Sequence, residues 1–195
     1  LAMGYTRFDP AGWSLGVTVG RTFRQEDLDQ FTDTSGLSGL QSDWLTSLRY
    51  DSGERFSLTA RGLMNDDFDF NRAEFRADWT GDRLAIGPSY IWQDEDAEED
   101  RDDAVSEWTV DTRYRLARHW VTDVDWRYDF VAEQASRARV GLIYRNECVT
   151  LGVAASRRFA YSDDDDDTTT YDFSVALNGF GTSGSNNSYA RSCLK

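Results

Sequence analysis

The chain has 195 residues with 35 acidic against 21 basic side chains, a formal charge of −14 that argues against nucleic acid as a partner. Its length suits one β-domain without a second. No apolar run approaches the roughly 18 residues of a membrane-spanning helix, although that test is blind to barrels, whose strands show only one face to lipid. No charged-then-apolar leader precedes Leu1, so an exported parent would have lost its signal peptide or would carry it upstream.

Taken in chain order, apolar and polar side chains alternate with period two, and helical periodicity is nearly absent. After a partial strand in residues 1–8, Trp13, Leu15, Val17 and Val19 share one face, opposite Ser14, Gly16, Thr18 and Gly20. A weaker segment follows at 44–50, and then Phe56, Leu58 and Ala60 alternate with Arg55, Ser57, Thr59 and Arg61. Ala73, Phe75, Ala77 and Trp79 oppose Arg72, Glu74, Arg76 and Asp78, and the next apolar face is Leu84, Ile86, Pro88, Tyr90 and Trp92. The pattern repeats with Trp108, Val110 and Tyr114, with Val124, Trp126 and Tyr128, and with Val140, Leu142 and Tyr144. Leu151, Val153 and Ala155 precede the last series, Tyr171, Phe173, Val175 and Leu177. The expectation is an all-β antiparallel meander of about ten or eleven strands, each about 9–12 residues long.

The connections alternate in length. Short links are expected at 9–12, 51–54, 80–82, 117–118 and 145–147, and long ones at 24–43, 64–69, 93–104 and 160–170, with a medium one near 132–135. Outer-membrane barrels combine short periplasmic turns with long outer loops, so the alternation places the long loops outside. Six of the seven tryptophans (Trp13, Trp44, Trp79, Trp92, Trp108 and Trp120) sit near strand ends on the apolar parity. Indole at both ends suits an aromatic girdle at the headgroups, whereas a soluble sandwich would place bulky aromatics at strand centres. Together with the charged opposite face, these features favour a transmembrane β-barrel over a sandwich.

Two acidic runs, 94–103 and 163–167, are expected as solvated, mobile loop tips, and they lack the glycine and ligand spacing of a calcium loop. His119, the single histidine, falls in a short link, away from the outer surface where a barrel hydrolase needs one. Asp123 with Asp125, and Asp111 with Arg113, occupy alternate strand positions and are expected to line the lumen. No triad, phosphate loop or metal spacing occurs, so no catalytic residue, cofactor or metal is expected. Cys148 and Cys193 suit one disulfide in an oxidising compartment.

The stretch Arg145-Asn146-Glu147-Cys148-Val149-Thr150, with the strand ending Ser156-Arg157-Arg158-Phe159, resembles the penultimate strand of the LptD family, the lipopolysaccharide-assembly proteins of the outer membrane. Tyr171-Asp172-Phe173-Ser174-Val175-Ala176-Leu177-Asn178-Gly179-Phe180-Gly181 looks like that family's closing strand. Gly12-Trp13-Ser14-Leu15-Gly16, Gly36-Leu37-Ser38-Gly39 and Ser42-Asp43-Trp44 look like its alphaproteobacterial branch. The resemblance implies a C-terminal barrel portion over residues 1–180 and a periplasmic tail over 181–195. It implies lipopolysaccharide as cargo and an LptE-like lumen lipoprotein as partner. A periplasmic lipopolysaccharide bridge would be reached through an N-terminal domain upstream of this chain. The strand bearing Tyr171, Phe173, Ser174, Val175 and Leu177 would form one side of a lateral seam. Some relatives carry adjacent cysteines in the turn; here Cys148 stands alone, so pairing with Cys193 and pairing with upstream cysteines both remain open. The competing readings are a passive porin-like barrel and a soluble acidic β-protein that binds through its loops. Unlike a porin, the chain runs on past Phe180 for a polar, Gly/Ser/Asn-rich tail.

Overall fold

The computed structural model describes residues 1–27, 30–160 and 166–177. Within them the chain forms a single antiparallel sheet of eleven strands, each paired with its neighbours in sequence. The strands are β1 (Ala2–Phe8), β2 (Ser14–Gly20), β3 (Trp44–Asp51), β4 (Phe56–Met64), β5 (Phe70–Thr80) and β6 (Leu84–Gln93), followed by β7 (Val105–Ala117), β8 (Trp120–Asp129), β9 (Gln134–Arg145), β10 (Val149–Arg158) and β11 (Thr168–Leu177). Two single 3-10 turns, at Asp33–Ser35 and Ala97–Glu99, are the only helical elements among the described residues.

The meander and the alternation of links agree with the sequence pattern, while several boundaries move. β1 runs over Ala2–Phe8, and β1, β2 and β3 have 7, 7 and 8 residues, shorter than the expected 9–12. β9 begins at Gln134 and β11 at Thr168, inside the links expected at 132–135 and 160–170. Ladder hydrogen bonds carry these strands through polar residues such as Thr168 and Thr169, which periodicity in apolar side chains does not mark. The tail 181–195, with Cys193, lies outside the described residues, as do 161–165 and 178–180.

Register fixes the two faces across the whole sheet. On one face the ladder joins Tyr5 to Val17, Val17 to Leu48, Leu48 to Ala60, Ala60 to Phe75 and Phe75 to Tyr90. It continues from Tyr90 to Trp108 and, one pair further along β7, from Val110 to Trp126; beyond β8 it links Val124 to Val140, Leu142 to Val153 and Val153 to Phe173. The other face carries Arg49, Arg61, Glu74, Arg76, Asp111, Asp125 and Arg139 at the intervening positions. Because the side-chain period is two, a slip of one residue in any pair would exchange these faces.

A soluble sheet must cover its apolar face with a second layer. Here Ala154 is the sole buried hydrophobic residue among those described, while Val140, Val153 and Phe173 are 52%, 54% and 73% exposed. The apolar face therefore has no protein core against it. This excludes the sandwich arrangement for the described residues.

On the charged face, glycine makes room for ion pairs. A Cβ at Gly141 would lie 2.5 Å from the Asp123 carboxylate, which accepts a hydrogen bond from Arg139 at 3.0 Å. Gly141→Ala is expected to cost about 1–3 kcal/mol through this overlap. Gly16→Ala, whose Cβ would meet nothing closer than Thr6 Oγ1 at 3.5 Å, serves as the control. Denaturant midpoints in micelles measure the difference, and equal midpoints for the two variants would remove the packing role of Gly141.

Candidate functional site

The site of this chain is its wall: two faces, two ends and two edges. Aromatic side chains gather at both ends of the apolar face. At the short-turn end Trp13 lies 6.3 Å from Tyr50, Tyr50 lies 6.2 Å from Phe56, and Trp120 lies 5.0 Å from Tyr144. Trp79 stands opposite Phe56 in the ladder at this same end. At the long-loop end Tyr90 lies 6.2 Å from Trp108, and Tyr128 lies 5.1 Å from Phe130. Trp44 opens β3 and Trp92 is the penultimate residue of β6, both at this end. Trp108 sits a few residues inside β7 because that strand begins at Val105. The seventh tryptophan, Trp126, joins the long-loop group by packing 5.6 Å from Tyr128, a contact not marked by its mid-pattern position. From Trp120 to Tyr128 the rise is about 27 Å along the strand, or about 20 Å across a membrane at a tilt of about 40°, close to the height of a barrel's apolar band.

The charged face carries ordered ion pairs. Arg76 bridges Asp78 at 2.6 Å and Asp111 at 3.2 Å, and Arg139 bridges Asp123 at 3.0 Å and Asp125 at 3.3 Å. The paired carboxylates Asp123 and Asp125 thus serve as guanidinium partners, while Arg113 stands opposite Asp123 in register. Half-exposed pairs of this kind contribute little to stability, and their effect is to make the face wettable.

The long loops are more structured than their composition suggests. Asp96, in the acidic run, is 6% exposed. It accepts hydrogen bonds from Thr32 Oγ1 at 2.5 Å and from Thr34 Oγ1, and it lies 3.7 Å from Arg101. Its side chain also caps the turn Ala97–Glu99 by accepting from the Glu98 amide. These bonds clasp the β6–β7 loop to the β2–β3 loop, which overturns the expectation of a freely solvated tip at this position. The threonine hydroxyls, the first cause, hold the Asp96 carboxyl below its usual value. Nearby, Arg21 and the Trp44 indole donate to Asp66 at 2.9 and 3.1 Å and lower its carboxyl in the same way. Neither cluster was legible beforehand, because each joins residues from loops without periodicity. In the second acidic run, Asp167 binds Arg157 at 2.5 Å, and Asp163–Asp165 lie outside the described residues.

β1 and β11 are the edges. Among the described residues β1 pairs only with β2 and β11 only with β10. Every position of β11 is exposed. Tyr171, Phe173, Val175 and Leu177 share the apolar parity, and Ser174 lies on the charged face opposite Gly152. Cys148 occupies the turn between β9 and β10, where its amide donates to Asn146 Oδ1 at 2.9 Å, while Cys193 lies outside the described residues. His119, in the β7–β8 link, reaches the Arg145 carbonyl at 3.0 Å and packs against Tyr144.

An uncovered apolar face flanked by aromatics, backed by a charged face and built as one meander, defines an outer-membrane β-barrel wall. The chain matches a known family over residues 1–104, from β1 through the β6–β7 loop, and it belongs to that family: LptD, LPS transport system D. No curated protein matches the chain. The match contains the Gly12–Gly16, 36–39 and 42–44 stretches, whereas the cysteine-bearing turn and β11 lie beyond it. Membership places the chain in lipopolysaccharide transport at the outer membrane, which agrees with a protein that moves lipid rather than transforms it.

Two outcomes follow from this geometry. Val153→Arg, on the apolar face, is expected to cost about 2–4 kcal/mol near the bilayer centre, and Thr109→Arg on the charged face less than that. Gly152 is unsuitable for that comparison, since a Cβ there would lie 2.6 Å from Ser174 Oγ. Folding equilibria into lipid vesicles measure both, and equal losses would contradict the assignment of faces. For the clasp, the lowered Asp96 carboxyl means its stabilisation is complete above the usual value of 3.8 and lost as pH falls through the folded value below it. Protease nicking of the β2–β3 loop should stay flat from pH 7 to about 4 and rise only below that. Asp96→Ala should raise it at pH 7, and unchanged nicking there would show that the loops hold without the clasp.

Proposed function

We propose that this chain forms the C-terminal wall of a larger barrel that inserts lipopolysaccharide into the outer leaflet through a lateral seam at β11. The observation that carries this reading is the edge. Among the described residues β11 is bonded on one side only, and each unsatisfied backbone group in hydrocarbon costs several kcal/mol, so its outer edge calls for another strand. That strand is not β1. With eleven antiparallel strands among the described residues β1 and β11 run in the same direction, whereas single-chain bacterial barrels close an even number of strands antiparallel. This counts against the alternative, a small porin-like barrel closed by these strands alone.

In this reading the short turns and the tail 181–195 face the periplasm and the long loops face outward. The tryptophans Trp13, Trp79 and Trp120 form the inner girdle, and Trp44, Trp92 and Trp108 form the outer one. Cys148 and Cys193 then share the periplasmic side, where a disulfide ties them to each other or to an upstream domain. The charged face lines a wet lumen that an LptE-like lipoprotein fills, and an upstream domain receives lipid from a periplasmic bridge. The branch of the family is alphaproteobacterial, on the stretches that resemble it.

A cysteine at Ser174 in the full protein should crosslink to one on the barrel's first strand. The locked barrel should keep its heat-modifiable migration while lipopolysaccharide no longer reaches the surface. Delivery at the normal rate in fully crosslinked protein would reject the seam and favour a passive pore.

A further inference from the structure

We infer that Arg137 and Arg158, with Arg127 and Ser136, form a binding site for the phosphate of a lipid headgroup on the charged face beside β11. The inference rests on the transport reading for its choice of ligand and on the following geometry for its location.

Arg127 stands directly opposite Arg137, Arg137 directly opposite Arg158, and Arg158 opposite Thr168 of the edge strand. Directly paired strand positions place their Cβ atoms about 4.5–5.5 Å apart, and like charges there repel. Elsewhere on this face like charges that stand opposite each other are bridged by the opposite charge, as Asp111 and Asp125 are by Arg76 and Arg139. Acidic residues outnumber basic ones by 35 to 21, so carboxylates to separate three neighbouring arginines were plentiful. Glu107 reaches Arg127 at 3.7 Å, but among the described residues Arg137 and Arg158 make no ion pair.

The second observation is Ser136. The register between β8 and β9 shifts here, so Ser136 is the extra residue of a bulge, opposite no residue of β8. It is 7% exposed, and its Oγ is buried without a hydrogen-bond partner. The same residue lines a cavity of about 500 Å³ together with the three arginines, Glu107 and Asp166. Among the described residues that line the cavity, three guanidinium groups stand against two carboxylates, with a hydroxyl donor unspent. That is the donor set a phosphate monoester requires, since guanidinium forks bind its oxygens in pairs and a hydroxyl completes the shell. The site lies at the long-loop end of β10, next to the edge, with the apolar face one residue away in parity. A headgroup held there keeps its acyl chains close to the hydrocarbon side of the seam, which selects a lipid over free phosphate.

The experiment uses the full protein in detergent, titrated with phosphorylated lipid A, with the same lipid A after dephosphorylation, and with inorganic phosphate. The Arg137→Gln/Arg158→Gln variant should bind phosphorylated lipid A at least tenfold more weakly, down to the level of the dephosphorylated lipid. Arg137→Lys/Arg158→Lys should recover part of the loss, which separates charge from folding. Arg49→Gln, which removes one charge from the same face far along the sheet, should bind normally. Inorganic phosphate that competes only in large excess supports the lipid headgroup; competition at equal concentration would assign the site to the free anion and overturn the lipid. Unchanged binding in the glutamine variant, or an equal loss in Arg49→Gln, would overturn the site itself. Such a result leaves the seam standing wherever the Ser174 crosslink still arrests delivery, and a crosslink without effect removes the seam whatever the arginines bind.

Discussion

In hydrocarbon a backbone amide has no water to fall back on, and each one left unbonded costs several kcal/mol. That constraint accounts for the continuity of the ladder from β1 to β11, in which each strand bonds its neighbours in sequence. It also accounts for where irregularity is tolerated. The register shifts fall at Leu63/Met64, Arg115/Ala117 and Arg127/Tyr128, each within a few residues of a strand end. Such positions lie near the headgroups, where water and loops can satisfy the displaced groups. Pro88 is the exception at mid-strand: it lacks an amide hydrogen, and the pairing of β5 with β6 steps from Arg76–Ser89 to Trp79–Ile86 around it.

With the backbone satisfied inside the sheet, side chains are sorted by solvent alone. One parity meets lipid and holds Val, Leu, Phe and aromatic rings. The other meets water and holds arginines between carboxylates, each pair too exposed to add much stability. Gly87 and Gly141 show how closely this charged layer is packed, since a Cβ at either would overlap an aspartate. The wall therefore depends for its stability on the bilayer and its ladder more than on any core, as the single buried hydrophobic residue among those described indicates.

This division explains what was legible in the sequence. Period-two alternation, the ends marked by Trp13, Trp44, Trp79, Trp92 and Trp120, and the rhythm of short and long links are all direct consequences of the two solvents. They yielded the strand order and both faces. Strand ends at Gln134 and Thr168 were missed because backbone pairing continues through polar residues that carry no face signal. The Asp96 clasp was missed for a different reason. Its members Thr32, Thr34 and Arg101 are scattered over two loops, and an aspartate inside an acidic run reads as solvated unless its neighbours in space are known. The triad of arginines was hidden likewise, since Arg127, Arg137 and Arg158 become adjacent only through register.

The tertiary ties are unevenly distributed, and the unevenness bears on how a seam could open. Arg21, Trp44 and Asp66 join the β2–β3 and β4–β5 loops, and Asp96 with Thr32 and Thr34 joins β2–β3 to β6–β7. These bonds brace the wall from β2 to β7 above the strands themselves. β1 and β11 differ: among the described residues each is laddered to one neighbour alone, and all positions of both are exposed. Parting β11 from a further strand would thus break one set of ladder bonds and disturb none of the braced region. A wall built this way can keep its shape while one edge exchanges partners. Local opening draws on the least-connected part of a fold, and in the proposed reading that part is an edge strand rather than the braced region.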